Sequence, residues 1–138
     1  MSRLIDTESE GKQRTQLTKS ILICIREFMK QSSADQKSKD LTAFIILALR
    51  DINSGIDPTV EAWEKRGYWV KADRFRMEWR WTKSCADELE AALYKDDWGA
   101  VAQTAIRIAG KFPNVKVPAR RLAGDFWENA YGKLTKQA

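Results

Sequence analysis

Lys71, Arg74 and Glu78 are the residues of this chain best placed to do chemistry. When the segment from Trp63 to Lys83 is laid on one helical wheel, these three charges fall inside its apolar arc. Arg74 and Glu78 stand at i and i+4, and Lys71 and Glu78 at i and i+7, so the three share a face. A charge in such a place needs a partner, and an arginine can fork onto a carboxylate. One outcome is an ion pair, or side chains that snorkel at the edge of the arc. The other is a polar pocket with aromatic walls, Trp81 among them, that holds a small anionic ligand. Glu64 is a further member of such a pocket.

A second group is cationic. Lys65, Arg66, Arg76, Arg80 and Lys83 cluster with Asp73 within about 100° of the same wheel, opposite most of the tryptophans. Lys111, Lys116, Arg120 and Arg121 follow in a stretch with no acid before Asp125. Arg120 and Arg121 would lie in the first turn after Pro118, where the helix dipole disfavours cations. Phosphate or a nucleic-acid backbone would remove that penalty. A solvated basic face, balanced in part by Asp73, Asp87 and Glu90, is the plainer expectation.

Four of the six tryptophans lie between Trp63 and Lys83. On the wheel the wide arc gathers Trp63, Tyr68, Val70, Ala72, Phe75, Met77, Trp79, Trp81, Cys85, Leu89 and Leu93, and only Trp69 points to the charged side. Single-strand binders need rings and cations on one exposed surface. Here the phasing separates them, so the rings are read as core or as helix–helix contacts.

Several chemistries are excluded or disfavoured. The chain has no histidine, which removes the usual neutral-pH base, the commonest metal ligand and any histidine-dependent triad. It also argues against helical-bundle nucleases built on an Arg-x-x-x-x-His motif. Cys24 and Cys85 stand far apart in apolar patterns and read as buried free thiols rather than a disulfide or a zinc site. Ser9-Glu10-Gly11-Lys12 matches Ser-x-x-Lys by chance, because no companion motif follows. No phosphate loop, metal spacing or calcium loop occurs. Neither a metal nor a cofactor is expected, and the protein is read as non-enzymatic.

The elements that position these residues are helical. No stretch alternates with period two, and Gly and Pro fall between long helical patterns. Composition is that of a folded domain, 43% hydrophobic and 31% charged, with a net charge of +5. The longest wholly apolar run, Ala43 to Leu49, is too short to span a bilayer. Residues 1–30 lack the order of a signal peptide, so a cytoplasmic protein without a membrane partner is expected.

We read about five helices in one domain covering residues 1–138, with residues 1–10 prone to fray. The first starts at a capping box, Thr7 to Glu10, and runs to about Gln31. Leu17, Ile21, Cys24, Ile25 and Phe28 form its apolar face. The second runs to Ser54, apolar all round between Ala43 and Leu49, as suits a central helix. Gly55 would end it in the left-handed C′ position, with Ile56 as the apolar contact. Asp57-Pro58 would then open a third helix reaching Lys95, about 38 residues and about 57 Å long at 1.5 Å per residue, unless kinked near Gly67. Asp96-Asp97 starts a fourth helix, to Ala109. Pro118 opens a fifth, carrying Leu122, Phe126, Ala130 and Leu134.

The expectation is a four-helix up-down bundle plus a short helix, all α, with the long third helix as its spine. A spine of that length would leave one end uncovered, which predicts a homodimer anchored by Trp63, Tyr68 and Val70, with Trp81 as a further anchor. The leading functional expectation is a protein that acts by protein–protein interaction or oligomerisation. The alternatives are phosphate-backbone binding through the basic face and the 111–121 loop, and a small anionic-ligand binder or enzyme that uses Lys71, Arg74 and Glu78 in a tryptophan-lined pocket with Trp81.

Overall fold

The computed structural model describes residues 7–117 and 125–136. Among the described residues the chain is all α, with seven helices and no strand: α1 (Thr7–Met29), α2 (Gln36–Ser54), α3 (Ile56–Lys65), α4 (Trp69–Trp79), α5 (Trp81–Tyr94), α6 (Trp98–Gly110) and α7 (Ala130–Lys136). Helices α1, α2, α5 and α6 close a four-membered ring of neighbours, α1 on α2, α2 on α5, α5 on α6 and α6 on α1. Helix α7 packs on α2, and α3 and α4 pack on each other.

The all-round apolar pattern of α2 puts it at the centre, where it touches α1, α3, α5 and α7. Leu41, Ala43, Ile45, Ile46, Ala48 and Leu49 are buried on successive faces. Ile21, Cys24 and Ile25 of α1 and Leu89 and Leu93 of α5 meet them, and Val101, Ala105 and Ile108 of α6 join the same core. Each large side chain buried there stabilises the fold by roughly 1.5–3 kcal/mol. A second cluster, Ile56, Val60, Ala72 and Phe75, holds α3 to α4. Trp79 packs against both clusters and so ties them together.

The expected third helix is three helices. Its first break is at Gly67, whose φ is +81°. Gly67 N–H donates to the Glu64 carbonyl and Tyr68 N–H to the Trp63 carbonyl, both at 2.9 Å. These are the paired bonds of a Schellman ending, which the sequence had suggested at Gly55. Gly55 instead has φ −88° and stays right-handed between α2 and α3. Asp57 lies in the first turn of α3 rather than capping it, and no side chain caps that helix.

The second break is at Arg80, between Trp79 and Trp81. There the buried Thr82 hydroxyl donates to the Trp79 carbonyl at 2.8 Å. A side-chain hydroxyl competing for a backbone acceptor is a recognised cause of helix bending. The spine is thus divided into α3, α4 and α5 rather than running as one rod.

The turn into α6 follows the acidic signal closely. Asp97 caps the helix by accepting from Ala100 N–H at 3.1 Å. Asp96 takes the left-handed position with φ +54°. Its N–H donates to the Leu93 carbonyl, and Asp97 N–H donates to the Ala92 carbonyl, a second Schellman ending.

The last helix differs from expectation. Pro118 and Leu122 lie outside the described residues, and 125–129 form turns before α7 begins at Ala130. Trp127, not Phe126, is the buried ring, at 1% exposure. The buried Asp40 carboxylate of α2 accepts from Tyr131 N–H at 3.0 Å, which fixes the start of α7 across the fold.

Candidate ligand-binding cleft

A concavity lies where the α3–α4 pair meets the bundle. It is a cleft of about 470 Å³ built from α1, α3, α4, α5 and the turn after α6. Its walls form a continuous chain of rings. Trp63 meets Phe75 edge-on at 5.0 Å, Phe75 leads to Trp79 at 6.4 Å, and Trp79 stacks on Trp81 at 6.4 Å. Phe112 closes the end, 6.0 Å from Trp79 and 5.6 Å from Trp81. The breaks at Gly67 and Arg80 produce this arrangement, because they turn Trp63, Trp79 and Trp81 from three helices toward one space.

Two cations that line the cleft, Arg14 and Lys111, lie against these walls. The Arg14 guanidinium carbon sits 4.6 Å from the Phe75 centroid and 5.5 Å from that of Trp79. Lys111 Nζ lies 5.6 Å from the Trp81 centroid. Burial pushes the Arg14 pKa below its ordinary value, while the nearby Glu10 and Glu78 carboxylates oppose that shift. The direction means that lost hydration outweighs what the two acids return. An incoming anion would supply what is missing. Gly11, Thr15 and Thr18, on the same side of α1 as Arg14, leave the cleft open and partly polar.

The expected pocket residues divide. Glu78 and Trp81 line the cleft. Lys71 is exposed, and its Nζ lies 4.5 Å from the Trp63 centroid. Arg74 is also exposed and does not line the cleft. Glu64 turns to Arg76, at 3.7 Å. The three-charge constellation is therefore not assembled as a pocket: all three side chains stand on α4 and are exposed, and only Glu78 borders the cleft. Of the expected anchors, Trp63 lines the cleft, whereas Tyr68 and Val70 are exposed.

The basic stripe is exposed but partly neutralised. Arg76 bonds Asp73 at 3.1 Å, and Lys83 pairs with Asp87 at 3.5 Å. Asp87 and Glu90 also hold Arg50, at 3.1 Å and 2.9 Å. Lys65, Arg66 and Arg80 are exposed, and Lys116 is exposed beyond α6. Arg120 and Arg121 lie outside the described residues.

Arg14 and Phe112 were not singled out from sequence, though Arg14 left a trace. The stripe through Leu17, Ile21 and Ile25 would continue back through Arg14 and Gly11 at helical spacing, yet those positions are polar or small. A core face that turns polar for one and a half turns marks a cavity or a surface. Phe112 sits in a Pro-containing turn where periodicity carries no signal.

Compared with known proteins, the chain matches no family model, no curated protein and no solved structure. Both cysteines are buried free thiols. Among the described residues no His, Cys, Asp or Glu group is gathered to hold a metal ion, and no helix is long and apolar enough to cross a membrane.

Proposed function

We propose that the chain is a non-enzymatic binding protein whose cleft takes a small planar organic anion. The observation that carries this reading is the convergence of five rings with Arg14 and Lys111 on one cleft of about 470 Å³. Such sites are mostly apolar, with a few placed polar groups that fix orientation. A flat ring laid against Trp79, Trp81 and Phe112 gains offset or edge contacts of about 0.5–1.5 kcal/mol each beyond its burial. Its carboxylate or sulfonate would meet Arg14 and Lys111, while Glu78 at the rim disfavours a ligand with further negative charge nearby.

This departs from the leading expectation of protein–protein interaction or oligomerisation through the bundle surface. It also draws on the anionic-ligand alternative, with Arg14 and Lys111 in place of Lys71 and Arg74. Backbone-phosphate binding through the basic stripe is less well supported, since Arg76 and Lys83 already have acidic partners.

Calorimetric titration with 2-naphthoate, against 2-naphthalenemethanol and 2-naphthylmethylammonium, tests the reading. One site per chain is expected, with the anion bound most tightly and Lys111→Gln or Trp81→Ala weakening it about tenfold, or about 1.4 kcal/mol. Equal affinity for the three compounds, or no binding at all, would refute it.

A further inference from the structure

Helix α4 is apolar on two sides. Ala72, Phe75 and Trp79 face the second cluster and the cleft. Val70 and Met77, seven residues apart and on one stripe, face outward with 66% and 64% exposure. Trp69 is 62% exposed beside them, and Tyr68 51%. Half of the eight large apolar side chains exposed among the described residues thus fall within residues 68–77. An apolar patch held open in this way marks an interaction surface.

The charges around the patch indicate what covers it. Residues 64–76 contain five cations, Lys65, Arg66, Lys71, Arg74 and Arg76, against two acids, Glu64 and Asp73. Both acids contact Arg76. The surface is therefore an aromatic and aliphatic tip with a basic surround. Tryptophan and tyrosine favour the headgroup level of a bilayer, and lysine and arginine near it are drawn to anionic lipid.

A symmetric contact between two copies would set this basic corner against itself, so a second copy is a poor occupant. A nucleic-acid strand would use the rings and cations but gain little from Val70 and Met77.

We propose that the α3–α4 corner docks on an anionic lipid surface, with Trp69, Val70 and Met77 at the acyl boundary and Lys65, Arg66, Lys71 and Arg74 among the headgroups. This replaces the sequence-based expectation of no membrane partner, which rested on the lack of a spanning segment. Docking in the plane of the interface needs no spanning helix. Trp69, Val70 and Met77 do not themselves line the cleft, and the vesicle test needs no cleft ligand, so this proposal stands independently of that ligand.

The test is co-sedimentation of the full chain with vesicles of phosphatidylcholine alone or mixed with phosphatidylglycerol, with tryptophan emission recorded in parallel. Binding is expected only to the anionic vesicles, weakened at least tenfold at about 0.5 M salt, where screening is short-ranged. The emission should shift to the blue, and Trp69→Phe should abolish most of that shift while retaining binding. The double substitution Val70→Ser and Met77→Ser should weaken binding about tenfold while the helical circular dichroism of the parent chain is retained. Equal binding to neutral vesicles, no binding, or an undiminished double variant would overturn the proposal. So would a patch that instead binds single-stranded oligonucleotides or drives dimerisation with the vesicles ignored.

Discussion

Phe75→Ala and Met77→Ala should have very different consequences, although an uninterrupted helix would place both side chains on one apolar arc. Phe75 is 6% exposed, packs with Ile56, Val60 and Ala72, and meets the Trp63 ring edge-on at 5.0 Å. Truncating a fully buried phenylalanine costs about 3–5 kcal/mol. The second cluster is small and can partly collapse into the gap, so the lower end, about 3 kcal/mol, applies. Met77 keeps nearly two-thirds of its surface in water. Complete burial would be worth about 1.5–3 kcal/mol, so the buried third contributes about 0.5–1 kcal/mol. Urea unfolding followed by circular dichroism at 222 nm, at a common slope, measures both. Amide exchange across residues 56–79 shows whether the α3–α4 pair opens by itself. Equal losses for the two variants would mean that Met77 is buried and that α4 does not present its Val70–Met77 face to solvent.

The helix endings allow a paired experiment. Gly67→Ala should destabilise by about 1 kcal/mol because an L residue must adopt φ +81°, whereas Asp96→Gly should stabilise by about 0.5–1 kcal/mol by relieving φ +54°. Both are read from unfolding midpoints. Asp40→Ala leaves Tyr131 N–H without its carboxylate acceptor; a loss of about 2 kcal/mol is expected, with faster exchange in α7 than in α2. Cys24 is completely buried, and burial together with Glu27 holds its thiol far above the ordinary range. Cys85 is raised in the same direction, mainly by burial. Neither thiol should react with a disulfide reagent at pH 8 until the protein is unfolded, which absorbance at 412 nm reports directly.

Much of the bundle was legible because its signals are local and periodic. The apolar run Ala43 to Leu49 identified the central helix, and Ile21, Cys24 and Ile25 identified the inner face of α1. Asp97 announced the start of α6 with a cap that the structure contains. What was not legible depends on where a helix stops. Gly55 and Gly67 are both followed by an apolar residue, and nothing local says that only Gly67 turns left-handed. Placing the break at Gly67 and adding the bend at Arg80 rotates the faces of α4 and α5. Val70 and Met77 then emerge, while Trp63, Trp79 and Trp81 meet.

The cleft was half visible for the same reason. Glu78 and Trp81 were singled out as pocket residues, and Lys111 as a cation able to meet an anion. Their convergence is tertiary. Arg14 reaches the rings from a helix more than sixty residues away in sequence, and a single-sequence periodicity cannot pair such distant faces. Lys71 and Arg74 do share α4 with Phe75 and Trp79, but they stand at the exposed edge of its inner face, which the wheel alone does not distinguish from a pocket.

The six indole N–H resonances locate the ligand most directly. With the chain labelled with nitrogen-15 and titrated with 2-naphthoate, the Trp63, Trp79 and Trp81 signals should shift together along one saturable curve. Trp127, buried on the α7 side of the core, and exposed Trp69 should stay in place. Shifts confined to Trp69, or small and unsaturating shifts across all six, would contradict a ligand site in the cleft.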